Sequence, residues 1–325
     1  MMRQAGRYLP EYREVRSGST FLGMVHDSER AAEVTLQPIR RYGMDAAVIF
    51  CDILVPPAAM GQEVDFVEGK GPVLGPCIRT RDDVERLVDF EATEATGFLG
   101  ESIRRVRTEL GDERAIIGFC GAPFTVASYM VEGQSSRNFE NTKQMMLGDP
   151  ETFDRLLERV VDNSIGYLRM QAEAGADVLQ VFDSWGGALA ADLYRERLLP
   201  HVARLVGEAK NMGVPVILYV NGCSHLLEVM ADSGADVLGI DWRVNPAEAI
   251  ARVGDRVALQ GNLDPCTLFA PPAVVRAEAR KTLDAFANQR GFIFNLGSGI
   301  LPKTPLESVQ ALWDTVLDLE GAAHS

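Results

Sequence analysis

The sequence predicts an α/β protein that folds as a (β/α)8 TIM barrel, and three observations favour this class. Seven short, almost wholly apolar runs alternate with longer amphipathic stretches, which is typical of parallel strands covered on both faces. No linker, repeat or break in composition divides the chain, so residues 1–325 are predicted to form one barrel domain. Polar motifs directly follow the apolar runs, as they do where the loops of a barrel carry chemistry.

The seven apolar runs define the predicted strands. They are Ala46–Phe50, Ala115–Phe119, Asp177–Phe182, Val214–Val220, Asp236–Asp241, Arg256–Gln260 and Gly291–Asn295. An open, doubly wound sheet could be built from seven strands, but such a sheet more often carries a GxGxxG loop after its first strand, and this sequence has none there. A closed barrel needs eight strands, so we expect the first strand to be missing or incomplete at the N-terminus.

On this interpretation the opening motif "RQAGR" leaves a strand that would lie just before residue 1. We therefore expect the natural gene product to begin upstream. A barrel that lacks one strand has two unpaired sheet edges, so we also expect the 325-residue chain alone to be poorly soluble.

Local signals predict further elements. The stretch after the second strand begins a long helix at Asp149 and ends it at Gly175. A C-terminal helix is expected with Thr304 as its cap and Pro305 at its first helical position. The glycine and proline spacing of "FVEGKGPVLGP", residues 66–76, predicts a hairpin.

Composition narrows the possible partners and the compartment. The formal net charge of −14 disfavours binding to nucleic acid or to an anionic membrane, since both would be repelled. Five scattered cysteines with no close CxxC pair indicate a reduced protein with neither a disulfide framework nor a zinc ribbon. The N-terminus lacks the apolar core of a signal peptide. A cytoplasmic location is therefore expected.

The motifs that follow the apolar runs resemble those of the uroporphyrinogen decarboxylase family over essentially the whole chain. They are "MRQAGRYLPEYR", "CDILVPPAAMG", "GAPFTVASYMVEG", "FDSWGG", "GIDW", "QGNLDP" and "NLGSGILPKTP". The resemblance implies a (β/α)8 barrel that acts as a homodimer and needs neither a cofactor nor a metal. It also implies that the four acetate side chains of uroporphyrinogen III become methyl groups, giving coproporphyrinogen III and four CO2 in haem biosynthesis.

This reaction sets three requirements on the site. Loss of CO2 leaves an electron pair on a CH2 group, and a pyrrole protonated at a ring carbon can accept that pair. The protein must then supply a proton donor, a group that stabilises the cationic ring, and cations that hold the remaining carboxylates.

The resemblance assigns catalytic roles to Asp52, Arg3 and Tyr129. Asp52 matches the aspartate that accepts the pyrrole N–H groups and offsets the charge of the protonated ring; otherwise it would be a helix cap or an ion-pair partner. Arg3 matches the proton donor, directly or through water, although a guanidinium is a weak acid. Tyr129 matches a tyrosine that hydrogen-bonds Asp52 or a substrate carboxylate; otherwise it would be a core residue.

The resemblance also implies a set of substrate-binding positions. They are Arg3, Gln4, Ala5, Gly6, Arg7, Arg16, Phe21, Asp52, Tyr129, Ser184 and Ser298. Among them the arginines would grip carboxylates through bidentate hydrogen bonds, although a single arginine is more often a surface charge. Gln4, Ala5 and Gly6 would offer backbone contacts. Ser184 would contact a carboxylate, cap a helix, or do both.

Ser298 departs from the family pattern, which has a histidine at this position. Serine keeps a small hydrogen-bonding group but cannot titrate near neutral pH. Either the histidine is dispensable or the protein has another task, and the intact remainder of the motifs favours the first interpretation.

Two other functions remain open. Zinc-dependent methyltransferases of the same superfamily need a His-x-Cys pair and a further cysteine, for which Cys223, His225 and Cys266 are the candidates. These cysteines are more simply explained as small core residues. A barrel that binds a tetrapyrrole without converting it is the second alternative.

Overall fold

Seven parallel strands form one curled sheet, and they follow one another in the sheet in the order in which they occur along the chain. In this computed structural model, residues 1–67 and 69–323 are described. The sheet strands are β1 (Ala46–Val48), β4 (Ala115–Gly121), β5 (Val178–Asp183), β6 (Val216–Val220), β7 (Val237–Gly239), β8 (Ala258–Leu263) and β9 (Phe292–Leu296), and a separate antiparallel pair is formed by β2 (Glu63–Val67) and β3 (Gly71–Gly75).

Sixteen α-helices accompany these strands in the described part of the chain. They are α1 (Pro10–Ser17), α2 (Phe21–His26), α3 (Ser28–Tyr42), α4 (Val55–Ala59), α5 (Arg81–Glu85), α6 (Ala92–Ala95), α7 (Gly97–Leu110), α8 (Pro123–Glu132), α9 (Glu140–Gly148), α10 (Pro150–Glu173), α11 (Ala191–Arg197), α12 (Leu199–Lys210), α13 (Leu227–Ala231), α14 (Pro246–Val253), α15 (Pro272–Phe286) and α16 (Leu306–Ala323). Within the described ranges, none of them has both the length and the apolar character needed to cross a membrane.

The predicted fold class is confirmed. All seven predicted strands are present, each overlapping its predicted run, and helices connect one parallel strand to the next. β1 and β9 are the two edges of the sheet, which has one strand fewer than a closed barrel in the residues described. The predicted hairpin is also confirmed, with Glu63 opposite Gly75 and Val67 opposite Gly71.

One of the two predicted helix caps is confirmed and the other is wrong. Asp149 caps α10, because its side chain accepts a hydrogen bond from the Thr152 amide at 3.2 Å. Thr304 does not cap α16. It lies in a turn in which its amide donates to the Leu301 carbonyl, and its buried hydroxyl has no hydrogen-bond partner among the described residues.

Aromatic rings on neighbouring strands fill the concave side of the sheet. Phe119 on β4 packs edge-on against Phe182 on β5, with ring centroids 5.4 Å apart, and Phe182 lies 6.0 Å from Tyr219 on β6. The Tyr219 hydroxyl reaches on to donate to the Gly297 carbonyl, beyond the end of β9, at 3.0 Å. A contact across three strands is possible only inside the curl, so these rings fix the curvature that brings the loops together.

The side chain of Gln4 occupies the edge of β1. Its amide nitrogen donates to the Ala46 carbonyl and its amide oxygen accepts from the Val48 amide, both at 2.8 Å. Gln4 thereby reproduces with one side chain the pair of hydrogen bonds that a neighbouring strand would make. The side chain is only 2% exposed, so its loss would leave these two backbone groups without partners.

We therefore expect Gln4→Ala to lower the free energy of unfolding by about 2–4 kcal/mol, since each unsatisfied backbone group costs about 1–3 kcal/mol. Urea denaturation followed by circular dichroism measures this change. Gln310→Ala is the matched control, because Gln310 is exposed and its side-chain amide donates to Asp314 on its own helix; a change within about 0.5 kcal/mol is expected there. Equal effects of the two substitutions would contradict the role given to Gln4.

Candidate active site

The predicted site residues lie in segments that follow the strands. Asp52 comes shortly after β1, Tyr129 lies on α8 after β4, Ser184 follows β5 directly, and Ser298 follows β9. Because the carboxyl ends of parallel strands share one end of a barrel, the strand-end positions Asp52, Ser184 and Ser298 lie at a common mouth. Tyr129 lies farther along α8, and its proximity to Asp52 follows from the effect of the Asp52 charge on its pKa.

Asp52 lies partly exposed in the segment between β1 and α4, and it does not occupy the cap position of α4, which belongs to Leu54. One carboxylate oxygen accepts a hydrogen bond from the Leu54 amide at 2.9 Å. Burial raises the pKa of Asp52 to about 6, and this effect exceeds the opposing effects of the Leu54 amide and the Arg3 charge. The second oxygen accepts no hydrogen bond within the described residues.

Arg3 and Arg7 are both exposed and lie in the segment that precedes α1. The charge of Arg3 lowers the pKa of both Asp52 and Tyr129, which places it close to both side chains. Within residues 1–67 and 69–323, neither Arg3 nor Arg7 forms an ion pair with an acidic side chain, although most surface arginines do. Both cations are therefore available to bind an anion.

Tyr129 lies near the C-terminal end of α8, where its ring packs against the Trp185 ring with centroids 4.1 Å apart. The pKa of Tyr129 is raised to about 12. Burial is the main cause, the negative charge of Asp52 adds to it, and the positive charge of Arg3 opposes both effects. The hydroxyl is therefore protonated at neutral pH and can donate a hydrogen bond. Phe139 packs on Trp185 in turn, at 5.0 Å, and completes an aromatic stack that holds the tyrosine ring.

Ser184 and Ser298 flank this arrangement from two sides. Ser184 immediately precedes Trp185, and the short 3-10 turn that follows has no side-chain cap, so the predicted capping role of Ser184 is wrong. Ser184 is partly exposed and does not cap this turn, because the turn begins at Gly186 and its cap position belongs to Trp185. Ser298 lies beside Tyr219 and lowers the pKa of that tyrosine, against the larger, opposite effect of burial.

The remaining predicted binding residues have diverse environments. Phe21 packs between Phe50 and Phe66, with centroid distances of 5.5 and 4.5 Å. The Arg16 guanidinium donates to the Ser19 carbonyl.

The segment Gln4, Ala5 and Gly6 lies at the base of the mouth. The Gln4 side chain is committed to β1, and Ala5 is 8% exposed. A Cβ at Gly6 would lie 3.0 Å from the Arg3 carbonyl oxygen, so glycine permits the tight turn between Arg3 and Arg7. Only backbone groups of this segment remain for contact with a ligand.

Two buried aspartates that received no role from the sequence hold the loops in place. Asp183 accepts hydrogen bonds from the Thr125 hydroxyl at 2.7 Å and the Tyr194 hydroxyl at 3.0 Å. Asp241 accepts from the backbone amides of Gly222, Cys223 and Arg243. Asp183 directly follows a predicted strand, in "FDSWGG", and Asp241 ends one, in "GIDW". An acidic residue at the end of an apolar strand is the sequence signal that could have identified both.

The candidate zinc ligands are not arranged as a metal site. Burial raises the pKa of the Cys223 thiol to about 12, and the His225 ring contacts the Leu189 carbonyl oxygen at 2.7 Å. Cys266 is exposed, on a turn after β8. Across the part of the chain that the structure describes, no group of three or more His, Cys, Asp and Glu side chains could hold a metal ion.

The mouth is distinct from a surface concavity of about 670 Å³ between α1, α3 and α7. That concavity is lined by charges that neutralise one another, such as Arg40 with Glu33 and with Glu109, each pair at 2.7 Å. Its cations are already paired, unlike Arg3 and Arg7.

Comparison with known proteins identifies relatives of this chain. A family model described as "Uroporphyrinogen decarboxylase (URO-D)" matches residues 1–319. The chain is 45% identical to the uroporphyrinogen decarboxylase of Alkalilimnicola ehrlichii over 329 residues, covering 100% of this chain and 90% of the relative. It is 46% identical to that of Pelobacter propionicus over 310 residues, covering 95% and 91%.

Solved structures share the fold at low sequence identity. A methyltransferase from Methanosarcina mazei matches with a TM-score of 0.78 and 22% identity, covering 94% of this chain and 90% of that one. A B12-independent methionine synthase from Shewanella sp. W3-18-1 matches with a TM-score of 0.59 and 11% identity, covering 91% and 89%. At these identities the likeness concerns the barrel architecture alone.

Ionisation of Asp52 destabilises the folded protein, because the pKa of its carboxyl is about 6 in the folded state against an ordinary 3.8. The resulting loss of folding free energy is small below pH 4, grows between pH 4 and 6, and is complete above pH 6. We expect Asp52→Asn to raise the free energy of unfolding by about 2–3 kcal/mol at pH 7 and by less than about 1 kcal/mol at pH 4.

Urea unfolding at the two pH values measures this difference. Asp284→Asn serves as the control, because Asp284 is exposed, and its effect should stay within about 0.5 kcal/mol at both values. Destabilisation by Asp52→Asn at pH 7 would show that the carboxylate supports the fold and would contradict the prediction.

Proposed function

The chain belongs to the uroporphyrinogen decarboxylase family, and from that premise we propose that the mouth described above binds uroporphyrinogen III and releases CO2 from its four acetate side chains. The enzyme is a carboxy-lyase of tetrapyrrole biosynthesis, and coproporphyrinogen III is its product. The observation that carries the assignment of the site is the electrostatic coupling of Arg3, Asp52 and Tyr129 at one mouth.

Asp52 is the group that faces the pyrrole nitrogens. One carboxylate oxygen is held by the Leu54 amide, which leaves the other to accept pyrrole N–H groups. With a pKa of about 6, the group is mostly ionised at neutral pH, so its charge offsets the positive charge of a protonated pyrrole ring. The stabilisation is greatest in the charged intermediate, which is where catalysis needs it.

Arg3 and Arg7 bind substrate carboxylates. Each is exposed, and in a protein of net charge −14 they supply a local positive field that an anionic substrate requires. A guanidinium forms paired hydrogen bonds with a carboxylate and holds it in a fixed plane. Arg3 also delivers the proton to the ring carbon, directly or through a bound water molecule.

Tyr129 orients the carboxylate of Asp52 or of the substrate. Its hydroxyl is neutral at physiological pH and its ring is held by Trp185. Ser184, beside that tryptophan, and Ser298, beside Tyr219, offer small hydroxyl groups to the substrate carboxylates. Arg16 and Phe21 complete the binding surface, together with the backbone of Gln4, Ala5 and Gly6.

The histidine that the family carries at position 298 is dispensable in this chain. Ser298 lies beside Tyr219 and lowers its pKa, and the catalytic charges lie on Asp52 and the arginines. A protein that only binds a tetrapyrrole is the second candidate, favoured by the absence of a titratable group at this position. The two candidates differ in whether CO2 is released.

We further propose that residues 1–325 act as a single barrel domain, as a homodimer in the cytoplasm, without a cofactor or metal. The homodimer follows the family resemblance. Sedimentation velocity at micromolar concentration should give a species of twice 35.5 kDa. A single species at 35.5 kDa would overturn the dimer and leave the assignment of the reaction untouched.

The reaction is tested by incubating the protein with chemically reduced uroporphyrinogen III under nitrogen, then oxidising the products and separating the porphyrins by carboxylate number. We expect a ladder from eight carboxylates to four. Unchanged octacarboxylate from folded protein that binds the substrate would favour the non-catalytic binder instead.

The same assay examines the arginines. Arg3→Ala and Arg7→Ala should each lower kcat/KM by about tenfold to a thousandfold, because a charge-assisted contact to a carboxylate contributes about 1.5–3 kcal/mol and Arg3 also serves the proton transfer. Arg204→Ala, which removes an exposed ion pair with Asp162, is the matched control and should leave kcat/KM within about twofold. Equal rates in all three variants would remove the arginines from the site.

A further inference from the structure

Gly299, in the loop after β9, borders the side chain of Arg3. A Cβ atom built on Gly299 would lie 2.9 Å from Cδ of Arg3, 3.2 Å from Cγ and 3.3 Å from Nε. Cβ atoms in proteins essentially never approach another heavy atom within 3.0 Å. Gly299 does not have a positive φ, so the demand for glycine comes from Arg3 and not from the backbone conformation.

The main chain of Arg3 cannot move away from this loop. The Met2 carbonyl accepts a hydrogen bond from the Ile300 amide at 3.2 Å, and Gln4 is bonded to β1. Arg3 itself lies between them with φ of 55°, in the left-handed region that few non-glycine residues adopt. Only the side chain of Arg3 is left to respond to a change at position 299.

The loop is equally unable to retreat from Arg3. The Gly297 amide donates to the Leu263 carbonyl at 2.7 Å, and its carbonyl accepts from Tyr219. A Cβ at Gly297 would lie 2.3 Å from the Trp242 amide nitrogen, so the loop already packs against the backbone after β7. An added methyl group at position 299 must therefore displace the Arg3 side chain.

We propose that Gly299 is a positioning residue for Arg3: the absence of its side chain creates the space in which the Arg3 side chain lies, so that its charge stays close to Asp52. The catalytic significance of this placement rests on the proposed function, whereas the placement itself does not. The loop contributes to Arg3 through positions 297, 299 and 300 and not through the side chain of residue 298.

The pKa of Asp52 depends on the position of Arg3, because the Arg3 charge lowers it. The groups that face Asp52 from the surrounding elements are Arg3, Tyr129 on α8, Cys51, and Tyr167 on α10. Burial raises the pKa of the Cys51 thiol and of the Tyr129 phenol to about 12, and it raises the pKa of Tyr167 well above its usual value, so none of them changes charge between pH 4 and 8. Displacement of Arg3 should therefore register as a higher pKa of Asp52.

The first experiment measures the Asp52 titration in substrate-free protein by 13C NMR of labelled aspartate carboxyl groups, with Asp52→Asn identifying the resonance. In Gly299→Ala we expect the pKa of Asp52 to rise by about 0.5–1 unit. We expect kcat/KM for uroporphyrinogen to fall by about tenfold to a hundredfold. Gly166→Ala, where nothing lies within 4 Å of the added Cβ, should change neither quantity.

A double-mutant cycle with Arg3→Ala separates the proposal from a general disturbance of the loop. Without the Arg3 side chain there is room for the methyl group, so Gly299→Ala should add no further pKa shift and no further loss of Tm in that background. A pKa of Asp52 unchanged by Gly299→Ala, or a loss of Tm that persists in the Arg3→Ala background, would overturn the proposal. If Gly299→Ala alone is too unstable to titrate, the recovery of Tm in the double variant decides.

The two proposals fail in different ways. If Gly299→Ala shifts the pKa of Asp52 but the natural protein does not decarboxylate uroporphyrinogen, the positioning role of Gly299 is supported and the proposed reaction is wrong. If the natural protein decarboxylates uroporphyrinogen but Gly299→Ala does not shift the pKa of Asp52, the proposed reaction is supported and the positioning role is wrong.

Discussion

The attachment of residues 2–4 to both edges of the open sheet is the constraint on which the site depends. Gln4 bonds the β1 edge through its side-chain amide, and the carbonyl of Met2 bonds the loop beyond β9 through Ile300. Arg3 lies between these two attachments, so the gap between the sheet edges and the position of the proposed catalytic cation are set by the same three residues. Folding stability and the proposed role of Arg3 are therefore coupled at the start of the described chain.

Electrostatics and burial oppose each other at Asp52. Burial removes water that would stabilise the negative charge of this carboxyl and so raises its pKa. The Leu54 amide and the Arg3 charge stabilise the ionised form, but their combined effect is smaller than that of burial. A carboxylate that is destabilised in the empty site gains most when a cationic ring forms beside it, because the opposite charge replaces the missing solvent. A site that needs this carboxylate keeps it at the expense of folding stability, a trade-off common in active sites.

The sequence predicted the strands and the order of the motifs well, because apolar runs and strand-end polar residues are local signals. It could not predict which caps form. Asp149 and Thr304 both precede a proline at the start of a helix, yet only Asp149 reaches an amide, since the backbone turn at Thr304 depends on Leu301 and on burial. Gln4 was assigned a backbone contact with substrate, while the structure shows its side chain pairing with β1, over forty residues away in sequence.

The sequence also could not predict the residues that hold the site loops through contacts with distant parts of the chain. Tyr219 lies in an apolar run and looks like a core residue, and nothing in the chain indicates that its hydroxyl meets the loop beyond β9. Asp183 and Asp241 stood within recognised motifs, but the partners of Asp183 are hydroxyls on α8 and α11, and Asp241 binds backbone amides that include those of Gly222 and Cys223 after β6. Long-range pairings of this kind depend on the curvature of the sheet, which follows from the packing of Phe119, Phe182 and Tyr219 and not from any local pattern.

The contacts of the loop after β9 with Arg3 do not involve the side chain at position 298, which is consistent with a serine there. The loop after β9 holds Arg3 through the amide of Ile300 and through the space at Gly299, and it is itself held by the carbonyl and amide of Gly297. Three of its four contributions are made by backbone atoms, and the fourth by a missing side chain. A substitution at position 298 leaves all four in place, so the loss of a histidine there removes one substrate contact without disturbing the charge that faces Asp52.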